Sequence, residues 1–217
     1  MFIGHFAVGF AAKRFAPKTS LALLVLAPLF LDVVWPVLIL AGVEQARVVP
    51  NPNPFLVLHL DDMPWSHSLL MAVVWAALFG GVYLWRTGLK DGAAAVAVGV
   101  VSHWVLDWIT HRPDMMLWPG GARLGLGLWN SVIGTAVVEG TMFLAAVVVY
   151  ARMTRARRAG GTLGFWSFVA LLAGLYALNL ATATPPTITA VAVTILASTA
   201  VMVLWIRWFD DRREVRA

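Results

Sequence analysis

The sequence of 217 residues contains no cysteine, and charged residues make up only 12% of it. Without cysteine the chain cannot form disulfides or thiolate metal sites, so a bound metal would need nitrogen and oxygen ligands. The motifs G-x-S-x-G and H-E-x-x-H are also absent, which leaves nucleophile-elbow hydrolases and zincin proteases without support.

Apolar residues, by contrast, make up 60% of the chain and form runs of about 20, the length a helix needs to cross the bilayer core. We therefore predict an all-α integral membrane protein, a polytopic helical bundle of about six transmembrane helices plus a short N-terminal helix. The predicted spans are 20–42, 68–85, 92–110, 132–151, 163–181 and 186–206. We treat 1–217 as a single transmembrane domain, in which 1–131 carries the candidate metal site and 132–217 the last three spans.

The N-terminal stretch MFIGHFAVGFAAKRF lacks an A-x-A-like cleavage site, so we expect it to remain in the mature chain. Residues 2–12 are too few to cross the membrane. They can form a half-helix that enters the membrane or an amphipathic helix on its surface, and the sequence does not separate the two. A half-helix above Lys13 and Arg14 would raise His5 toward the outer half of the membrane.

Lysine and arginine are distributed unevenly among the predicted loops. If the first span leaves the cytoplasm, only Arg47, Arg112 and Arg123 fall outside. The positive-inside rule then predicts six spans in the inner membrane, with both termini in the cytoplasm. The basic clusters become topology anchors that contact anionic membrane lipids. No basic patch remains for nucleic acid, so we predict no nucleic-acid partner.

Four ionisable residues, Asp32, His103, Asp107 and Glu139, lie within predicted spans, where a central charge costs roughly 2.5–3.5 kcal/mol. Counted at 1.5 Å per residue from the cytoplasmic ends, they lie at about 19–25 Å, in the outer half of the membrane. His67 begins the second span at about 28 Å. Because three helices bring ionisable residues to one depth, we favour a shared site over separate helix-packing contacts.

The segment SHWVLDWITH places His103, Asp107 and His111 at intervals of four residues. Residues i and i+4 share a helix face, so the first two can present a nitrogen and an oxygen to one ion. His111 is about 12 Å from His103 along the helix axis, too far to bind that ion unless the helix ends before Pro113. It would otherwise serve a second metal or the substrate. A simple intrahelical His–Asp pair is the alternative.

Two further groups of polar residues are set aside. Ser66, Ser68 and Ser102 each adjoin a histidine, but neighbours on a helix point in different directions, so adjacency is weak evidence for a catalytic pair. His59 lies in a proline-rich loop and is interpreted as a solvated residue.

Several short motifs follow one another along roughly the first 120 residues. They are GH at 4–5, Pro28 followed by Asp32, SHSLL at 66–70, SHWVLDWIT at 102–110 and LWPGG at 117–121. Their order and spacing resemble the YdjM/YbcI-type membrane-bound metal-dependent hydrolases. That family usually has a second aspartate and an additional histidine where Val34 and Asp62 stand here. The order of histidines and aspartates is also similar to the zinc-dependent phospholipase C and nuclease site.

The resemblance implies a divalent metal, which we expect to be zinc. The expected ligands are His67, His103 and Asp107, and His5 and His111 are further candidate ligands. Mixed nitrogen and oxygen ligands also suit manganese or iron.

The implied reaction is hydrolysis of an ester or phosphoester on a lipid or periplasmic substrate, with Glu139 or Asp32 accepting the proton of a metal-activated water. A permease or metal-ion transporter is the alternative, because intramembrane Asp, Glu and His relays are typical of transporters. Against it, the cytoplasmic halves of the spans look free of polar residues. A non-catalytic protein whose site only links helices is the third interpretation. The sequence indicates membrane lipids as partners and names neither a substrate nor an oligomeric state.

Overall fold

Long apolar segments form most of the protein. The computed structural model describes residues 1–181 and 185–216, and within them five helices of 19–23 residues are long and apolar enough to cross a membrane. The helices in chain order are α1 (Ile3–Ala12), α2 (Leu21–Leu29), α3 (Leu31–Leu40), α4 (Leu69–Thr87), α5 (Lys90–Thr110), α6 (Val132–Met153), α7 (Gly161–Ala181) and α8 (Ile188–Asp210). With α2 and α3 as a sixth, bent span, they confirm the predicted all-α polytopic bundle.

Several helices begin and end at residues whose chemistry favours a boundary. The side chains of Ser68, Ser131 and Thr187 accept hydrogen bonds from the first-turn N–H groups of α4, α6 and α8. These contacts satisfy backbone donors that have no partner within the helix. Gly88 ends α4 with a φ of 68°, a conformation that glycine adopts without strain.

The first predicted span is bent rather than straight. Helices α2 and α3 meet at Phe30 with an angle of 52° between them. Each half contains a proline, Pro28 or Pro36, which removes one backbone donor from the helix. The bend matters for the site because it leaves the Pro28 carbonyl oxygen within reach of a side chain on α5.

Helix α1 is buried among the other helices, packed against α2, α6 and α5. Its residues Ile3–Ala7 are buried, and Phe10 is fully inaccessible. A helix lying on the membrane surface would expose one polar face, which α1 does not have. The structure therefore has a half-helix embedded in the helical bundle, which is one of the two placements that the sequence leaves open.

Short antiparallel ribbons close both ends of the bundle. At one end β1 (Gln45–Val48) pairs with β2 (Leu58–Asp62), and β3 (Met115–Met116) pairs with β4 (Arg123–Leu124). These two loops touch, because Arg112 donates to the Leu58 carbonyl oxygen at 2.8 Å. At the opposite end β5 (Thr154–Ala156) pairs with β6 (Arg213–Val215). The two ends match the loops predicted outside and inside, while their assignment to the two sides of the membrane stays a prediction.

A buried ion pair lies at the β5–β6 end. The expectation that the cytoplasmic halves of the spans are free of polar residues is therefore wrong at this end. Lys13 Nζ lies 3.2 Å from Asp210 Oδ2, and Asp210 also accepts from Leu21 N and from the Tyr150 hydroxyl. Asp210 is the last residue of α8, and in the sequence it is indistinguishable from the charged tail that follows Arg207. All these contacts tie the inner ends of helices together.

A layer of aromatic side chains separates this ion pair from the outer half of the bundle. Phe10 lies in the last turn of α1 and is surrounded by ring contacts at 5.4–6.5 Å. Its ring partners are Phe143, Tyr150, Phe165 and Phe168. The inner polar residues and the outer ones thus form two groups, with a packed apolar layer between them.

Candidate metal centre

Six of the predicted site residues converge at the end of the bundle that carries β1 to β4. His5 lies on α1, Asp32 on α3, and His103 and Asp107 on α5. His67 lies just before α4, and His111 just after α5. The histidines and Asp107 are buried, whereas 29% of the Asp32 side chain is exposed. Asp32 therefore lies where the cluster meets the exterior.

His103 Nε2 is at the centre of the cluster. It lies 3.2 Å from His67 Nε2 and 3.0 Å from Asp107 Oδ2, the residue four positions later on the same helix face. Asp32 Oδ1 lies 3.8 Å from His103 Nε2 and 3.7 Å from His67 Nε2. The separation between His67 Nε2 and Asp107 Oδ2 is 3.9 Å. One ring nitrogen and two carboxylate oxygens thus lie around His103 Nε2, with Asp32 grouped with His67 and His103, and Asp107 with His5 and His103.

The tautomer of His103 is set by the bent span. Its Nδ1 lies 2.7 Å from the carbonyl oxygen of Pro28, which can only accept, so the ring proton belongs on Nδ1. The neutral ring then carries its lone pair on Nε2. Gly99, one turn earlier, permits this approach, since a Cβ there would lie 2.9 Å from the Ala27 Cβ.

His67 has the same tautomer for a different reason. Its Nδ1 lies 2.7 Å from Ser66 Oγ, and that hydroxyl donates its only proton to Glu44 Oε2 at 2.6 Å. Ser66 must then accept from His67 Nδ1–H, which leaves the lone pair of His67 on Nε2. Two lone pairs therefore point at each other across 3.2 Å, an arrangement that a cation between them would satisfy.

The separations within the cluster match those expected around a small metal ion. Zinc bonds of about 2.0–2.1 Å in tetrahedral geometry place neighbouring ligand atoms about 3.3–3.4 Å apart. The separations among His67, His103 and Asp107, and those from Asp32 to the two histidines, run from 3.0 to 3.9 Å and bracket that value. The residues present therefore fit a divalent metal in donor type and in spacing.

His5 lies on the other side of His103, with the two rings stacked at 4.1 Å. Its Nε2 is 3.2 Å from Asp107 Oδ1 but out of line for a hydrogen bond, and neither ring nitrogen has a hydrogen-bond partner among the described residues. The ammonium group of Met1 donates to the same oxygen of Asp107. The centre thus accommodates positive charge beside Asp107, and it contains a buried imidazole that lacks a partner.

His111 reaches the cluster because α5 ends at Thr110. Its Nε2 lies 3.8 Å from Asp107 Oδ2, and its Nδ1 lies 3.0 Å from Asp114 Oδ1. The carboxylate of Asp114 accepts the ring proton, so the Nε2 lone pair of His111 also faces inward. The helix thus ends before Pro113, which is the condition under which His111 can approach the same ion as His103.

Glu139 caps the beginning of α1. Its Oε2 accepts from the backbone N–H groups of Phe2 at 2.9 Å and Gly4 at 3.1 Å, while Oε1 is buried with no hydrogen-bond partner among the described residues. A carboxylate is favoured there because the N-terminus of a helix carries unpaired N–H groups. Glu139 therefore positions the helix that carries His5.

Comparison with known families gives an extensive match. A family model described as YdjM inner membrane protein matches residues 1–185. The chain belongs to the YdjM inner membrane protein family. No curated protein and no solved structure matches the sequence. The YdjM match extends beyond the motifs at 1–120 and includes Glu139 together with all six residues of the cluster.

Sequence reasoning missed two residues that support the YdjM site. Ser66 was set aside on the argument that helical neighbours diverge, but α4 begins only at Leu69, so Ser66 and His67 lie before the helix. The same argument is right for Ser102, which donates to the Gly99 carbonyl oxygen instead. Glu44 was overlooked, although a lone acid between an apolar span and a loop was a usable signal.

His59 lies apart from the centre, on β2. Partial burial, together with the positive charge of Arg112, lowers the pKa of His59, and its Nε2 lies 3.3 Å from the Arg112 guanidinium. His59 therefore provides a control histidine outside the cluster.

Proposed function

We propose that this YdjM-family protein is a metal-dependent hydrolase whose active site opens to the outer face of the inner membrane. The observation that carries the proposal is the pair of facing Nε2 lone pairs of His67 and His103, 3.2 Å apart and next to Asp107. Hydrogen bonds at Nδ1 fix both rings, as do the groups that accept the other ring N–H of metal-binding histidines.

His67, His103 and Asp107 would hold the metal, which we propose to be zinc, and the fourth position would be open to water; His5 and His111 are the alternative candidates for a ligand position. Three protein ligands with one open position are typical of catalytic zinc sites. The metal supplies Lewis acidity and lowers the pKa of water to near neutrality. The ring hydrogen bonds of the two histidines keep their ligand nitrogens oriented before the metal binds.

Asp32 would accept the proton released from water. Its Oδ1 lies within 3.8 Å of both ligand nitrogens, and its side chain is the exposed member of the cluster. Glu139 is the second candidate acceptor, because its Oε1 is buried without a described partner. Asp32 has the better access to a substrate entering from outside, whereas Glu139 is engaged in capping α1.

An ester or phosphoester would be the substrate, because metal activation of water suits the hydrolysis of both. Purified protein, loaded with zinc in detergent, is tested on bis(p-nitrophenyl) phosphate and on p-nitrophenyl acetate. Release of p-nitrophenol that is lost in Asp107→Ala and retained in His59→Ala supports the proposal. Equal rates in both variants and wild type would show that the cluster does not catalyse the reaction.

Cation transport is the second candidate function, favoured by the bent span, since interrupted helices often line transporter sites. The aromatic layer around Phe10 argues against a path from the cluster to the inner end. Zinc uptake into liposomes containing the protein, measured with an internal fluorescent indicator, separates the two. Uptake that depends on Asp107 would favour transport, and its absence together with hydrolysis would favour the enzyme.

A further inference from the structure

Glu44 is a buried carboxylate that the proposed ligand set does not use. It follows α3 in the outer loop, and only 2% of it is exposed. Its Oε1 accepts from the backbone N–H groups of Trp65 and Ser66, each at 2.8 Å, and its Oε2 accepts from Ser66 Oγ at 2.6 Å. Three hydrogen bonds over a sequence separation of about 20 residues tie this carboxylate to the segment that carries His67.

The direction of this hydrogen-bond chain follows from donor and acceptor chemistry. An ionised carboxylate can only accept, so the single hydroxyl proton of Ser66 points at Glu44. Ser66 Oγ therefore accepts at 2.7 Å from His67 Nδ1. Because the neutral imidazole has one N–H, His67 Nε2 keeps its lone pair and directs it toward His103.

We propose that Glu44 is a positioning residue that acts through Ser66 to hold His67 in the tautomer whose Nε2 can bind the metal. The inference rests on the proposed metal site for its last step, while the tautomer itself is a property of the metal-free chain. It extends the site from the histidine to an outer-loop carboxylate, linked to it through a single hydroxyl.

A purely structural role for Glu44 is the competing explanation, since its Oε1 also holds the backbone of Trp65 and Ser66. The variant Glu44→Gln separates the two roles. The glutamine oxygen can still accept both backbone N–H groups, which places its NH₂ group against Ser66 Oγ. The amide then donates to Ser66, and the hydroxyl, whose proton has lost its acceptor on residue 44, turns to donate to His67 Nδ1. The proton of His67 moves to Nε2, where it blocks metal binding.

Two measurements detect this change in the tautomer of His67. The protein is labelled with ¹⁵N-histidine, kept metal-free and examined by NMR, and the His67 signals are assigned by their loss in His67→Phe. We expect the proton on Nδ1 in wild type and on Nε2 in Glu44→Gln. Zinc affinity is measured by competition with a chromogenic chelator. It should fall by about 10–100-fold in Glu44→Gln, the loss typical when a hydrogen-bond partner of a metal ligand is changed. The control Asp62→Asn, a carboxylate on the exposed surface of the same loop, should match wild type in both.

Rescue by a second substitution provides the sharpest test. In Glu44→Gln combined with Ser66→Ala no hydroxyl is left to donate to His67 Nδ1, so the blocked tautomer is no longer enforced. The double variant should bind zinc more tightly than Glu44→Gln and about as tightly as Ser66→Ala. A double variant that binds no better than Glu44→Gln, or a wild-type His67 protonated on Nε2, would overturn the proposal. Wild-type protein that binds no zinc would remove the proposed function, while the NMR measurement would still decide the role of Glu44.

Discussion

The Nε2 atoms of His67 and His103 lie 3.2 Å apart, and in the neutral rings neither carries a proton, because each ring donates from Nδ1. One ring is held by the Pro28 carbonyl oxygen and the other by Ser66. Leaving two buried acceptors face to face is unfavourable unless a cation or a donor joins them. This relationship is the reason for expecting a metal here rather than a histidine pair that only links helices.

His5 offers a test of whether the N-terminal helix contributes a ligand. His5→Phe preserves an aromatic ring against His103, at a stacking distance of 4.1 Å, but removes the nitrogen that lies 3.2 Å from Asp107. We expect this variant to fold and to bind zinc more weakly than wild type in a chelator competition assay. Unchanged affinity would limit His5 to stacking. His59→Ala is the matched control, because His59 lies outside the cluster.

Isosteric amide substitutions can show whether Asp32 and Glu139 act as proton acceptors or as metal ligands. Asp32→Asn and Glu139→Gln keep the shape of each side chain and remove its basicity. If both residues act on water or substrate, each variant should retain bound zinc near the wild-type level and lose most of its activity on bis(p-nitrophenyl) phosphate. Loss of zinc in either variant, measured by elemental analysis, would instead make that residue a ligand.

Gly99 controls how closely α5 approaches the bent span. A Cβ at this position would lie 2.9 Å from Ala27 Cβ and 3.2 Å from Pro28 Cδ. Gly99→Ala should therefore destabilise the protein by about 1–3 kcal/mol through overpacking. It should also weaken zinc binding, because the hydrogen bond from His103 to Pro28 is stretched. Both effects are measured in detergent, by thermal unfolding and by titration.

Gly174 is the control for that substitution, since a Cβ added there meets nothing within 4 Å. Gly174→Ala should leave zinc affinity unchanged and should be neutral or slightly stabilising, because alanine favours a helix by about 1 kcal/mol over glycine. Equal effects of the two substitutions would show that close packing at Gly99 does not matter to the site.

The orientation in the membrane can be tested because the chain has no native cysteine. Cysteines introduced at Gln45, Asn130 and Arg157 all replace exposed residues, so their labelling depends on the side of the membrane. We expect an impermeant thiol reagent to modify the first two in intact cells and the third only after lysis. The opposite pattern would reverse the topology and place the cluster near the cytoplasm.

Hydropathy and residue spacing predicted the parts of the structure that depend on local sequence. Long apolar runs located α4 to α8, and the i, i+4 spacing of His103 and Asp107 placed their side chains together on α5. The estimate of depth, from a fixed rise per helical residue, also placed Asp32 near the level of His103 and His67 slightly above it but within reach of Asp107.

Features that depend on tertiary contacts were not predictable in this way. The Pro28 carbonyl oxygen carries no sequence signal for its contact with His103, 75 residues later. Glu44 and Ser66 act together only because the outer loop folds back on the start of α4. Burial of α1 depends on packing against α6, which a search for membrane-length segments does not test.

The metal content of the purified protein tests the central claim most directly. The metal content of wild-type protein prepared without chelators is measured by elemental mass spectrometry. The variants His103→Ala and Asp107→Ala and the control His59→Ala are measured in the same way. We expect close to one equivalent of zinc or a similar divalent metal in wild type and in His59→Ala, and loss of it in the other two variants, with all four proteins still inserted and folded. Wild-type protein that carries no metal and binds none on titration would contradict the account.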